Sequence, residues 1–225
     1  MSGSATIDGG RAAAELLAWW LESGVDTPVG EAARDWRAPR TAVAPSAPAP
    51  QSLPDDLAAF REWLAKATDL PLASAAATRA LPLGQEGAEV MLLTDNPSPD
   101  APGDPLGGAA GELARRMLAA IGIAPDAAYL ANLSCLSGPG LRLSADELRR
   151  CADIARRHVA LAKPRRLLLL GDGPARALLG GGVAQRRGKV HKVEGVRTVA
   201  TFAPAFLLTS PAQKALAWRD LLLLM

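Results

Sequence analysis

Apolar and polar positions follow two rhythms along residues 54–225. Short apolar runs of β-type residues fall at Ala88–Leu93, Ala127–Ala131, Arg166–Leu170 and Val196–Phe202. Each is bounded by turn residues and predicts a buried strand. Between and after them the period changes to that of a helix, over Gly111–Ile121, Ser144–Lys163, Pro174–Leu179 and Gln213–Leu224. Ahead of the first strand, Pro54, Asp55 and Asp56 open a helix running to about Ala67. The acidic pair suits the positive end of that helix's dipole. Ser144 and Glu147 form an S-x-x-E capping box at the start of the longest helix. Alternating strands and helices predict an α/β fold: three layers, α/β/α, around a central four-stranded parallel sheet. Right-handed crossovers place every strand's C-terminal end on one edge, and ligands bind beyond that edge. The loops to examine are therefore Thr94–Gly108, Asn132–Leu143, Gly171–Gly173 and Ala203–Ser210.

The N-terminal part reads differently. Leu16, Leu17, Trp19 and Trp20 make an apolar stripe on a helix over Arg11–Glu22, and Gly24 is a natural stop. This helix is expected either to dock on the main domain or to recruit a protein partner through residues 11–24. Five prolines among Ala and Ser over Ala38–Pro54 read as an extended tether. The expected division is residues 1–30 for the Trp-containing helix, 31–55 for the linker and 56–225 for the main domain. The 225 residues carry a net charge of only +2, so a nucleic-acid partner has to be sought in local patches. Cys135 and Cys151 are too few for a disulfide framework, which favours a reducing, cytoplasmic setting. No signal-peptide pattern and no membrane-length apolar run is evident, so no membrane partner is expected.

Several segments, taken in order, resemble one family. The tail reads TFAPAFLLTSP over Thr201–Pro211, followed by AWRDL over Ala217–Leu221. PRRLLLLGDGPARALLG spans Pro164–Gly180, and Arg187, Gly188 and His191 give R-G-x-x-H. AGELARRMLAAIGI spans Ala110–Ile123, and AYLANL spans Ala128–Leu133. Together they resemble the family 4, iron–sulfur uracil-DNA glycosylases. The resemblance covers about residues 56–225 and implies that superfamily's fold, DNA as partner, single- or double-stranded, and base excision as activity.

Such chemistry takes a flipped base into a pocket, holds its edge and stabilises charge as the glycosidic bond breaks. The resemblance places Asp95, in TDNPS, where the family has a glutamate, with Asn96 beside it. It places Asn132 at the base edge, where an amide offers both a donor and an acceptor. It also shows losses. Leu106 stands where an aromatic ring stacks on the base, and Ala203 stands where a histidine donates to the base oxygen. His158, mid-helix in RRHVA, reads as a surface residue, and His191 as a residue near the crevice.

Arg186, Arg187, Lys189 and Lys192 cluster in a Gly-rich loop suited to phosphates. Pro204, Phe206 and Leu207 resemble the loop that wedges into the duplex. The family's four-cysteine cluster retains only Cys135 and Cys151, with Ala67 and Leu70 at the other two positions. Two thiolates cannot hold a cubane, so no iron–sulfur cluster and no other metal is expected. The predicted outcome is a glycosylase-like DNA-repair protein with weak turnover, or a member of the fold that binds DNA and senses lesions without cleaving.

Overall fold

The computed structural model describes residues 18–19, 53–74, 76–98, 101–138 and 143–225. The chain divides into two units between Pro50 and Gln51. In the first, Ala18 and Trp19 are helical and Trp19 is exposed. The remainder of the Arg11–Glu22 helix, and the tether up to Ser52, lie outside the described residues.

The second unit begins with helix α1, Leu57–Lys66, whose N-cap Asp56 accepts from the Ala59 N–H at 2.8 Å. The sheet then assembles from β2, Val90–Thr94; β3, Ala128–Asn132; β5, Arg166–Leu170; and β7, Val196–Thr201. Its order is β3-β2-β5-β7, all parallel. A short antiparallel pair, β1 (Thr78–Arg79) with β4 (Leu136–Ser137), stands apart.

Four parallel strands were expected; the sheet is mixed and has five. The fifth, β6 (Val190–Val193), runs antiparallel along the edge beside β7. It is joined by a two-residue turn at Glu194 and Gly195, both with positive φ (49° and 78°), the geometry of a tight hairpin. β6 carries no apolar run because it is an edge. Lys192 faces solvent there, a charge that discourages pairing with other chains. At the opposite edge, Leu83 forms an antiparallel bridge to Leu130 and covers β3.

Alternate residues of each strand feed two cores, one on each face. Met91, Leu93, Tyr129, Leu167 and Leu169 pack against α3 (Ala145–Ala162) and α4 (Asp172–Leu179). Val90, Leu92, Leu168, Leu170 and Val199 pack against α2 (Gly108–Ala120) and α7 (Lys214–Leu222). Ser144 and Glu147 make the expected reciprocal capping box on α3. Two short helices lie in segments where the sequence predicts loops: α5 (Val183–Arg186) and α6 (Pro204–Thr209). Pro204 at the first turn of α6 has no N–H to lose there and suits that position.

His158 is not on the surface as expected. It is 3% exposed on the inner face of α3, its Nε2 2.7 Å from the Tyr129 hydroxyl, with the Phe60 ring 4.8 Å away. Full burial pushes its pKa down to about 3, so the ring is neutral. Arg156 and Arg157, just before it in the helix, turn outward to Glu194 and Asp55, which is why flanking arginines misrepresent the burial of His158. Among the described residues no helix is long and apolar enough to cross a membrane.

Candidate active site

In this sheet the chain leaves β2 for β3 on one side, then returns to β5 on the other. The C-terminal ends of β2 and β5 therefore form the topological switch point, where a crevice opens. Asp95 follows β2, and Gly171, Asp172 and Gly173 follow β5. They meet: the Gly173 N–H, in the first turn of α4, donates to Asp95 Oδ1 at 2.7 Å. The contact is close enough to require glycine on both sides. A Cβ at Gly171 would stand 2.2 Å from Asp95 Oδ2, and one at Gly173 would stand 1.9 Å from Oδ1. The G-x-G after a strand is a cradle for the chain's own carboxylate.

That carboxylate sits in a cavity of about 250 Å³. Its walls come from the residues after β2, the Pro105–Gly107 turn, Leu170 and the start of α6. Burial is the main force on the Asp95 acid and raises its pKa to about 6. The Gly173 hydrogen bond opposes this; the nearby Asp172 carboxylate adds to it, and Arg176 offsets it in turn. Ala203 lies across from Asp95: a Cβ at Gly171 would be 3.4 Å from the Ala203 methyl. Asn96, Leu106 and Pro204 line the same space. So Asp95, Asn96, Leu106, Ala203 and Pro204, singled out from the sequence, come together in one place.

Asn132 occupies the end of β3 but is committed within the protein. Its Nδ2 donates to Thr94 Oγ1 at 2.9 Å and to the Pro105 carbonyl at 2.8 Å. Both donors are thus spent, one on the Thr94 hydroxyl and one on the Pro105 turn, and its buried Oδ1 has no partner among the described residues. The amide has no free donor, and Asn132 lines a separate small cavity with Leu133, Ser134 and Cys135 instead of the Asp95 cavity. The Thr94 and Pro105 partners carry no sequence signal, because neither residue type marks such a role.

The basic cluster divides. Lys189 and Lys192 are exposed. Arg187 is not a free phosphate ligand as expected: its Nε and Nη2 reach Asp220 Oδ2 and Oδ1, each at 3.0 Å. Asp220 is fully buried and also accepts from Gly188 N and Thr201 Oγ1. Four donors satisfy it, which accounts for the W-x-D-L and R-G pieces of the sequence as one structural lock. Arg186 is half-buried, and its backbone carbonyl accepts from His191 Nε2 at 2.8 Å. Leu207, expected at the wedge, is 1% exposed and belongs to the core, whereas Phe206 is exposed and packs on Phe202 at 5.3 Å. One turn of helix buries one of the two apolar neighbours.

At the place where a cluster would sit, Cys135 packs with Leu64, Leu70, Phe60 and Ile154, with Ala67 against them. Arg79 donates to the Leu64 and Ala67 carbonyls at the end of α1. Burial raises both thiols, Cys151 to about 12 with the Glu147 carboxylate contributing. Two protonated thiols and two alkyl side chains do not fit a four-thiolate cluster.

These features define an α/β protein with an acid-bearing crevice at the switch point of its sheet. The sequence model of the Uracil DNA glycosylase superfamily matches residues 81–222. The Type-4 uracil-DNA glycosylase of Archaeoglobus fulgidus is 29% identical over 142 residues, 57% of this chain and 71% of that protein. The Type-4 uracil-DNA glycosylase of Pyrobaculum aerophilum is 29% identical over 151 residues, 61% of this chain and 77% of that protein. The matched residues hold all five strands and the crevice, and the chain belongs to the uracil DNA glycosylase superfamily.

Proposed function

We propose that the chain is a DNA-repair glycosylase-like protein that takes a base out of DNA into the Asp95 cavity and hydrolyses its glycosidic bond, with impaired action on uracil. The observation that carries this reading is the convergence of Asp95, Leu106 and Ala203 on one cavity at the sheet's switch point. In it, Asp95 polarises water or steadies the developing sugar cation. Leu106 gives the base an apolar wall in place of a ring, which forgoes stacking worth about 1–3 kcal/mol. Ala203 supplies no donor to a departing base oxygen, a loss that typically costs about 10²–10³ in rate. Exposed Lys189 and Lys192 hold phosphates, and Phe206, half-exposed next to the cavity mouth, fills the gap left by the flipped base. On this reading it works without an iron–sulfur cluster, which the packing of Cys135 and Cys151 in two separate apolar clusters supports.

The test is cleavage of uracil-containing single- and double-stranded DNA, read as alkali-labile sites, with Ala203→His alongside. Weak release by the protein with Ala203, raised about 100-fold by the histidine, supports the reading. Failure of both proteins to release any base from DNA they bind favours the second reading, a lesion-binding protein. The commitment of both Asn132 donors to Thr94 and Pro105 is what speaks for that alternative.

A further inference from the structure

The missing donor and the retained acid, taken together, say something about the substrate. A base such as uracil gathers negative charge as its bond to the sugar breaks, and a pocket that excises it needs donors or cations at that charge. Here Asp95 is the one ionisable side chain among the described residues lining the cavity. Around it are Leu106, Leu170, Ala110, Pro97 and Pro105, with Thr94, Asn96 and Ser98 as uncharged polar neighbours. The Ala203 methyl and Asp95 Oδ2 flank the same point beside Gly171. Beyond the walls, Asp172 adds negative charge, and the cation that faces it, Arg176, is paired with Asp172 at 3.2 Å. Around neutral pH the cavity holds a single negative charge, fixed by the Gly173 N–H, and no cation among the described residues that line it. In such low-dielectric surroundings, that charge opposes an anion and attracts a cation strongly.

We propose that the cavity is set for a base that is cationic while attached to DNA and neutral once released, an N-alkylated purine, in preference to uracil; this rests on the cavity being a base pocket. The step balances without a co-reactant other than water. The C1′–N bond breaks heterolytically, and its electron pair stays on the purine nitrogen, cancelling the ring's formal positive charge. The sugar cation left behind faces the Asp95 carboxylate. Water adds at C1′ and gives up its proton to that carboxylate, which passes it to solvent. The products are a neutral alkylpurine, an abasic site and one proton. The leaving group needs no donor at position 203, and the apolar walls suit an alkylated ring.

The test uses full-length protein and two duplexes of one sequence. One is methylated with dimethyl sulfate, giving N7-methylguanine and N3-methyladenine; the other contains uracil. Released bases are separated chromatographically against protein-free controls, and DNA binding is measured in parallel. The expected result is methylpurine release at least about 100-fold faster than uracil release, the scale of one absent oxyanion donor. Asp95→Asn is expected to abolish that release while DNA binding persists, and Ala203→His to raise uracil release. Uracil release without methylpurine release would overturn this inference and leave the glycosylase reading standing. Binding without release of either base would overturn both. Methylpurine release unchanged by Asp95→Asn, in a variant whose fold is verified by thermal melting, would overturn the role given to the carboxylate.

Discussion

Replacing Asp95 by asparagine should make the protein more stable and less active. The carboxylate is raised from 3.8 to about 6, chiefly by burial. A shift of that size is about 3 kcal/mol of preference for the protonated form. Because the folded-state value lies above the unfolded one, Asp95 contributes fully to stability below pH 3.8. That contribution is lost as the pH rises through about 6. At pH 8 the folded protein therefore carries the cost of a buried charge. Asparagine has nearly the same shape, and its oxygen can accept the Gly173 N–H, but it has no charge to bury. The variant should gain about 3 kcal/mol at pH 8, or about 6–12 °C in melting temperature for a domain of this size. The gain should vanish near pH 4. Urea unfolding of both proteins at the two pH values measures it, and effects from other groups cancel in the difference. Equal midpoints at pH 8, or a gap that persists at pH 4, would refute the assignment of Asp95 as a buried acid. A gain in stability coupled to loss of base release is the trade-off expected of an active-site group.

Three further outcomes follow from the same structure. Asp220→Ala leaves Arg187, Gly188 N and Thr201 Oγ1 without their shared partner, and should destabilise the fold by about 3–5 kcal/mol in denaturant melts. His158, depressed to about 3, contributes stability that is complete above about pH 6.5 and lost as the pH falls toward 3. Its ring resonances should therefore stay flat from pH 8 to 5, and a titration midpoint near 6.5 would contradict its burial. Lys189→Gln with Lys192→Gln should lower the slope of log affinity for DNA against log salt by up to about 2 and leave the melting temperature unchanged.

Much of the architecture was legible because the four parallel strands are buried on both faces and read as continuous apolar runs. Ser144 and Glu147 announce their helix through side chains that bond locally. β6 was not legible, since an edge strand with alternate residues in solvent has no apolar signature. Nor was the fate of Arg187. A basic residue in a Gly-rich loop reads as a surface charge, and only the tertiary fold brings the buried Asp220, 33 positions away, beneath it. The burial of Leu207 has no sequence signal, because the wedge-like segment is a helix that turns one apolar side chain inward and leaves Phe206 out. At the site, Asp95, Leu106 and Ala203 could be found through resemblance to a family. The role of Gly171 and Gly173 in holding the acid emerged from distances alone.

The central claim is that a base leaves the duplex and enters the cavity between Asp95, Leu106 and Ala203. A crystal structure with a duplex carrying one 2′-fluoro-2′-deoxyuridine, which resists hydrolysis, tests it most directly. The result expected is an extrahelical base against Leu106, its sugar facing the Asp95 carboxylate and Phe206 near the gap in the stack. A duplex with every base stacked, bound on a face remote from that cavity, would contradict it.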